Sequence, residues 1–302
     1  YKDSNLEMTE SESVALPFGD TPLGFLPFTR HYYTHFRSKI KYKFKKRFIF
    51  FKKCIIIYPV RKEDIMYEMK TRVSYSQVNS GLSTDMAVIA HYFQDCTIFH
   101  SESIGKGLDE IEHSQTAWYL SGWQIEVMRY PVFGEEITVR TWPYDFKGIY
   151  GYRNFDILDK DGERIVRANS IWIFMDLHKM LPVKPGEEDI RGYDMEPALS
   201  MDYAPRKIKI MDEEKRRQEK ETPVVVKKSF LDSNHHVNNG RYVAEAMDFF
   251  PEDREIKTMR VDYRKAAAFL DVMYPVIYDK DEVRQIVFTN EEEKPYVIIE
   301  IQ

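Results

Sequence analysis

From residue 67 onward, the sequence repeats one order of predicted elements: a short strand, one long helix and then a run of strands. In the first copy, a strand at 67–75 precedes a helix whose apolar residues recur at helical spacing. The strands that follow are predicted at 117–130, 136–145, 148–158 and 163–175. In the second copy, a strand at 223–230 and a helix at 239–250 come first. The strands predicted after them are 256–263, 272–278, 283–289 and 296–302. Consecutive strands leave no room for crossover helices, so the sheets are predicted to be antiparallel.

A unit with one long helix and several strands can bury the apolar stripe of the helix by wrapping the sheet around it. The doubled order therefore predicts an α+β chain with a double hot-dog fold, in which each tandem unit wraps an antiparallel sheet around a central helix. Ser83 or Thr84 is predicted to cap the first helix, with Asp85 in its first turn. The predicted divisions are a leader at 1–65, an N-terminal unit at 66–181, a linker at 182–221 and a C-terminal unit at 222–302.

The first 65 residues differ in composition from the rest of the chain. Between residues 39 and 62 lie ten basic side chains and no acidic one, interleaved with aromatic and aliphatic residues. Such a tract could contact a membrane surface or a nucleic acid. Biased composition is weak evidence for either role. We predict that this leader is unstructured or not part of the domain, with Met66 as a candidate start.

Charge and cysteine content exclude several classes of protein. The formal net charge of −5 argues against a chain that binds nucleic acid along its whole length. No run of about 18 uncharged apolar residues is present, so a stable membrane insertion is not expected. Cys54 and Cys96 cannot build a disulfide framework, which favours a reducing, cytoplasmic compartment. No metal, nucleotide or flavin motif is found, so no cofactor is expected.

The segment 231–242 is the part of the sequence that packing explains least. It places seven Asp, Ser, Asn or His residues between a predicted strand and a helix, although a helix cap needs only one. The adjacent His235 and His236 are poorly placed to share a metal ion, and no Cys or Glu stands at ligand spacing. Backbone N–H groups at the helix start can hold a carbonyl oxygen as negative charge builds on it. A carboxylate, an amide and an imidazole beside them are the groups that hydrolyse an acyl compound with water.

The register of this segment resembles a known catalytic loop. The residues in register are Asp232, Asn234, His236, Val237, Asn238, Asn239 and Tyr242. They match the pattern Asp-x-Asn-x-His-Val-Asn-Asn, followed by a helix with an early Tyr. This is the loop of the acyl-acyl-carrier-protein (acyl-ACP) thioesterases, the plant fatty-acyl enzymes and their bacterial relatives. The segments 92–100, 118–134 and 167–172 are similar to the family's first unit. The resemblance covers 66–302.

The resemblance implies a reaction and a role for each loop residue. The family hydrolyses acyl-ACP thioesters to free fatty acid and ACP, which ends chain elongation, and it needs no cofactor. Asp232 would activate the attacking water, while Asn234 and His236 would position the water and the thioester carbonyl. His236 could also pass a proton to the leaving thiol. The backbone N–H groups of Val237 and Asn238 would face the oxyanion. In the family, the first unit binds the acyl chain and the second carries the chemistry.

One departure from the family pattern concerns the segment 262–267. Plant enzymes have a catalytic Glu and a neighbouring Cys where this chain has Ala266 and Ala267. A cysteine nucleophile at that site is therefore excluded. Three outcomes stay open: the Asp232, Asn234 and His236 set suffices, another carboxylate substitutes, or the protein is slow or inactive. We favour the first, because hydrolysis by an activated water needs one base and an oxyanion site.

Two alternatives and the choice of partner follow from this departure. The chain could be a catalytically weak protein that binds acyl-ACP or acyl-CoA, or a thioesterase that acts on acyl-CoA. The expected partners are ACP and the fatty acyl thioester, and homodimer formation is left open. Because carrier proteins are acidic, a basic docking surface is predicted at 206–220 or at Lys227 and Lys228. Cys96 lies on the first predicted helix and is interpreted as a core residue.

Overall fold

The computed structural model describes residues 66–250 and 254–302, and the predicted leader lies outside these residues. Within them, eleven strands form one sheet. The strands are β1 Tyr67–Arg72, β2 Thr116–Val127, β3 Glu136–Lys147, β4 Tyr150–Leu158, β5 Arg164–Asp176, β6 Leu181–Pro182, β7 Val224–Val225, β8 Thr258–Tyr263, β9 Val272–Lys280, β10 Val283–Thr289 and β11 Pro295–Ile301. All the pairings between these strands are antiparallel, as the sequence predicted.

The strands of the two predicted units meet at a single pair. The order β1-β3-β4-β5-β2 continues directly into β8-β11-β10-β9-β7, while β6 pairs with β5. At the β2–β8 pair, which we call the seam, Gly122 lies opposite Asp262 and Glu126 lies opposite Thr258. A register shift in β2 at Leu120 and Gly122 accompanies it. A Cβ atom added at Gly122 would lie 2.7 Å from the backbone oxygen of Val261. The two units therefore share one sheet, and the seam requires glycine on the β2 side.

Two long helices pack against this sheet and against each other. They are α1, Met86–Ser103, and α4, Asn239–Met247; two shorter helices, α2 Leu108–Ser114 and α3 Glu187–Ile190, were not predicted. The first helix begins after Asp85, whose carboxylate accepts a hydrogen bond from the Val88 N–H at 2.9 Å. The prediction of Ser83 or Thr84 as the cap was wrong, because the Asp85 carboxylate satisfies this first-turn donor. In the core of the first unit, Phe93 of α1 packs on Phe155 with ring centroids 4.9 Å apart.

The clearest error in the predicted elements concerns the strand at 223–230. Only Val224 and Val225 are extended, and they pair with the start of β9 at the end of the sheet. The chain then turns, and Lys228–Phe230 forms one turn of 3-10 helix. The predicted strand is short because its partner segment turns just before β9, where the Asp271 N–H donates to the Ala268 oxygen.

The predicted linker crosses the face of the sheet opposite α1, where it is held by side chains of the strands. We call residues 199–211 the strap. Its backbone N–H groups donate to side-chain oxygens at 2.9 to 3.0 Å in four pairs: Leu199 to Asn154 of β4, Ala204 to Gln124 of β2, Ile208 to Asp262 of β8 and Met211 to Gln285 of β10. Because Asn154, Asp262 and Gln285 are buried, these bonds satisfy polar groups that would otherwise be costly to bury. The strap therefore binds strands on both sides of the seam.

Among the described residues, no helix is both long enough and apolar enough to cross a bilayer.

Candidate active site

The polar segment predicted to carry chemistry forms a tight turn in front of α4. Leu231 pairs with Val237, and the Asp232 N–H donates to the His236 oxygen at 2.8 Å. At the tip, His235 has a φ of 60°, which is in the left-handed region. The turn brings Asp232 and His236 side by side, with Asn234 between them. All three residues predicted as catalytic therefore lie on one turn.

The backbone of the turn holds the Asp232 carboxylate in place. Its Oδ1 accepts hydrogen bonds from the N–H groups of Asn234 at 2.8 Å and His236 at 3.4 Å. Asp232 and His236 are half-buried, whereas Asn234 is exposed. Within the described residues, the Asn234 amide and the His236 imidazole form no hydrogen bond with other side chains or backbone groups. These two side chains can therefore bind water or a substrate.

The predicted oxyanion donors are not supported by the structure. The Val237 N–H donates to the Ala267 oxygen at 2.9 Å, and the Asn238 N–H donates to the Phe230 oxygen at 2.8 Å. The Asn238 side chain caps α4 by accepting from the Gly240 N–H at 2.9 Å. The N–H of Asn239, at the first helical position, has no acceptor within the helix because the first four N–H groups never do. It is the better candidate donor for a substrate oxygen.

The loop rests on the segment that follows β8. His236 pairs with Ala268 as an isolated bridge, and the Ala267 N–H donates to the Tyr242 hydroxyl at 2.8 Å. Burial raises the pKa of Tyr242 above its usual value, so this phenol stays neutral near pH 7. Ala266, at the position of the family Glu, is exposed directly beside these contacts. The position lies at the edge of the turn, and the side chain present there cannot act as a base.

Another carboxylate lies near the turn and was missed from the sequence. Asp271 Oδ2 accepts hydrogen bonds from the Ala268 N–H at 3.0 Å and the Tyr296 hydroxyl at 3.1 Å. Burial, with a smaller contribution from Asp271, raises the pKa of Tyr296 to about 12. The charges of Asp271 and Asp232 both contribute to the raised pKa of Tyr242. Asp271 is thus the candidate for the substitute carboxylate that the sequence left open, although two donors already engage it.

The first unit also reaches the turn, through Tyr119 of β2. Burial is the main cause of the raised pKa of Tyr119, and the negative charge of Asp232 adds to it. The phenol therefore lies close enough to Asp232 to be affected by its charge. Since β2 and β8 are far apart in sequence and meet only at the seam, no local pattern could have revealed this proximity.

Two adjoining cavities lie in the first unit beside the same strand. Their volumes are about 80 Å³ and about 30 Å³. Both are lined by Thr97, Ser101, Trp118, Trp172 and Tyr193. Trp118 directly precedes Tyr119 on β2, so the aromatic cavities and the vicinity of Asp232 adjoin the same stretch of this strand, although successive side chains of a strand face opposite sides of the sheet. These cavities are the candidate binding space for an apolar group.

Within the part of the chain that the structure describes, the other reactive groups do not form a competing site. Cys96 is fully buried, and burial raises the pKa of its thiol to about 12, as expected for a core residue. Among residues 66–250 and 254–302, no group of three His, Cys, Asp or Glu side chains is arranged to hold a metal ion.

Comparison with protein-family models gives two matches. Residues 64–193 match the acyl-ACP thioesterase N-terminal domain, and residues 213–294 match the acyl-ACP thioesterase C-terminal domain. Among curated proteins, the chain is 25% identical over 224 residues to a chloroplastic palmitoyl-ACP thioesterase of Arabidopsis thaliana. It is 24% identical over 253 residues to a chloroplastic oleoyl-ACP thioesterase of Coriandrum sativum. These alignments cover 68% and 76% of this chain but 53% and 68% of the relatives, so the chain spans about half to two-thirds of their length.

Solved structures with the same fold include an acyl-ACP thioesterase from Bacteroides thetaiotaomicron, with a TM-score of 0.71 and 21% identity. That comparison covers 78% of this chain and 97% of the other. The 12:0-ACP thioesterase from Umbellularia californica has a TM-score of 0.70 and 18% identity. That comparison covers 79% of this chain and 97% of the other. Together with the order of elements, these neighbours confirm the predicted α+β double hot-dog fold.

Proposed function

Because the chain belongs to the acyl-ACP thioesterase family, we propose that it hydrolyses fatty acyl thioesters of ACP to free fatty acid and ACP. The observation that carries this proposal is the turn in front of α4, which brings Asp232, Asn234 and His236 together. The comparisons support the reaction at the level of the family. The roles of individual residues are argued below from the turn itself.

The proposed reaction uses one water and no covalent intermediate. Asp232 accepts a proton from the water, whose oxygen attacks the thioester carbonyl carbon. Asn234 and the N–H of Asn239 stabilise the negative charge on the carbonyl oxygen. When the C–S bond breaks, protonated His236 donates a proton to the leaving thiolate. The proton that Asp232 took from the water then returns to His236 by way of solvent, so both groups regain their starting states. The products are a fatty acid and the carrier thiol, and the atoms balance without another reactant.

We assign the acyl chain to the aromatic cavities of the first unit. Trp118 and Trp172 line both of them, and Trp118 lies one residue from Tyr119, which is close to Asp232. This proximity along the backbone of β2 supports a division of labour, with acyl binding in the first unit and chemistry in the second. Since both units lie in one chain, the proposed site needs no second copy.

A second candidate function is favoured by one observation, the alanine at position 266. Without a carboxylate there, the chain could bind acyl-ACP and release little product. The two functions differ in a single measurement: fatty acid released from a panel of acyl-ACP thioesters of different chain lengths. We expect release that depends on acyl length and exceeds that from buffer alone. Binding without release, with activity gained in Ala266→Glu, would instead establish the binding protein.

Two observations favour Lys227 and Lys228 over 206–220 as the docking surface for an acidic carrier. In the 206–220 segment, Arg216 and Arg217 are paired with Glu213, Glu219 and Glu221. Lys227 and Lys228 are exposed and form no ion pair among the described residues. They precede the catalytic turn, and Lys228 Nζ lies 5.6 Å from the ring centroid of the exposed Phe269. We therefore place carrier docking at Lys227 and Lys228.

Reversing both charges should weaken the interaction with the carrier. We expect the Lys227→Glu/Lys228→Glu variant to raise KM for acyl-ACP about tenfold while kcat is kept, with an effect that shrinks as salt increases. Steady-state kinetics with acyl-ACP and with a short acyl-pantetheine thioester would measure this, because the short thioester lacks the acidic carrier. The matched control is Lys207→Glu/Lys209→Glu, which makes the same charge change at exposed positions of the strap. Equal effects of the two variants would contradict the assignment.

A further inference from the structure

Arg153 is a buried arginine that contacts no carboxylate within residues 66–250 and 254–302. It lies on β4 on the same face as Phe155, which packs on α1, and its side chain is 6% exposed. Its Nη1 donates hydrogen bonds to His100 Nδ1 at 2.8 Å and to Thr141 Oγ1 at 3.2 Å. Among the described residues, no Asp or Glu is paired with this guanidinium.

The histidine beside Arg153 does not balance its charge. Burial, followed by the charge of Arg153, lowers the pKa of His100 to about 3. His100 is therefore neutral near pH 7 and can accept the hydrogen bond at Nδ1. Burial lowers the pKa of Arg153 to about 10, which leaves the guanidinium cationic at the same pH. A full positive charge is thus held in the interior by neutral partners.

The opposite face of the same strand shows a different arrangement. Asp156 of β4 is fully buried and pairs with Arg140 and Arg164. There the burial of charge is offset by an ion pair. At Arg153, the cost of burying the charge is offset by two neutral acceptors and by the ring of Tyr193, whose centroid lies 5.4 Å from the guanidinium carbon. Burying a cation in this way is costly unless an anion joins it.

Arg153 also lines the smaller aromatic cavity, together with Trp118, Phe146, Trp172 and Tyr193. Its hydrogen bonds within the described residues use Nη1 alone. Nε and Nη2 keep N–H donors that can serve a ligand, and a guanidinium can present two of them to one carboxylate. The cavity therefore has aromatic walls and one cationic position.

We propose that these cavities bind the carboxylate end of an alkyl chain, with the carboxylate on Arg153 and the adjoining carbons along Trp118 and Trp172. Two sources share this chemistry. One is a free fatty acid, the product of the proposed reaction, bound in the cavity as an inhibitor. The other is an acyl-ACP whose acyl group carries a second carboxyl group at its far end. The choice between these sources rests on the proposed function, whereas the binding site itself does not.

Tryptophan fluorescence tests the site without any need for hydrolysis. The full chain is titrated with dodecanoate and with dodecan-1-ol, which has the same chain length but no charge. We expect the carboxylate to bind at least about tenfold more tightly, as a charge-assisted hydrogen bond implies. In Arg153→Met this preference should disappear, while Arg153→Lys should retain part of it. Equal binding of the acid and the alcohol by the unmodified chain overturns the proposal, even if Arg153→Met fails to fold.

The two sources are separated by kinetics. If the ligand is the product, dodecanoate should inhibit hydrolysis of unsubstituted acyl-ACP competitively, and Arg153→Met should relieve the inhibition. If the ligand is instead a carboxyl group at the far end of the substrate's acyl chain, an acyl-ACP with that group should have a higher kcat/KM than its unsubstituted counterpart. A chain that hydrolyses neither substrate but still prefers dodecanoate would retain the site and refute the proposed hydrolase. A chain that hydrolyses acyl-ACP but shows no preference for dodecanoate would refute the site and retain the proposed hydrolase.

Discussion

Asp232→Asn is expected to lower kcat for acyl-ACP hydrolysis by about 10²–10⁴-fold, the range typical of losing a general base. The amide oxygen of asparagine can still accept the hydrogen bonds that Asp232 Oδ1 receives from Asn234 and His236. The turn should therefore keep its shape while the base is lost. His236→Ala removes the proposed proton donor, and a loss of up to similar size is expected with the same acyl-ACP. Single-turnover hydrolysis of one acyl-ACP would measure both variants.

The matched control for these variants is His235→Asn. His235 is exposed at the tip of the turn with a φ of 60°, and asparagine tolerates this left-handed conformation better than most residues. We expect its kcat to stay within a few-fold of the unmodified chain. If Asp232→Asn also stayed within that range, Asp232 would not be the base, and Asp271 would become the residue to replace next.

Gly122→Ala is expected to destabilise the protein by about 1–3 kcal/mol, the usual cost of adding a methyl group to a closely packed position. The new Cβ would lie 2.7 Å from the Val261 backbone oxygen across the seam. A backbone atom within a paired strand cannot move away as a flexible side chain can. For a domain of this size, each kcal/mol lowers Tm by about 2–4 °C, so calorimetry or a thermal scan would detect the change.

Gly186→Ala serves as the control for this substitution. Its φ is −81°, and the nearest atom to an added Cβ is the side-chain Asp189 Oδ2 at 3.4 Å, an ordinary contact. We expect Tm to change by no more than a degree or two. If Gly122→Ala were as stable as this control, the two strands at the seam would have room that the structure does not show. If Gly122→Ala lost activity at a temperature where it is still folded, the seam would also position Tyr119 near Asp232.

The parts of the fold that were predicted correctly depend on local patterns. The apolar spacing within α1 and the long strand-like stretches of β3 to β5, with turn residues between them, are visible within a short window of sequence. The turn at 231–238 was also found locally, since its Asp, Asn and His residues exceed what a helix cap requires. The repeat of the whole order then indicated two units.

The parts that were missed depend on contacts between distant segments. Tyr119 comes near Asp232 only because β2 pairs with β8, and the sequence between them gives no sign of it. The amides of Val237 and Asn238 are engaged by Ala267 and Phe230, so their availability could be judged only in the folded turn. The strap was predicted only as part of the linker at 182–221. Its bonds to buried side chains of four strands depend on the assembled sheet.

The seam has a consequence for how such a chain can change over evolutionary time. In a symmetric pair of identical chains, every mutation occurs in both halves, so a gain in one half must be tolerated in the other. Here the two halves of one continuous sheet are encoded separately. A mutation that enlarges the space beside Trp172 leaves the turn at Asp232 unaltered, and the converse also holds. The capacity of the cavity and the chemistry of the turn can therefore be inherited, selected and lost as independent traits.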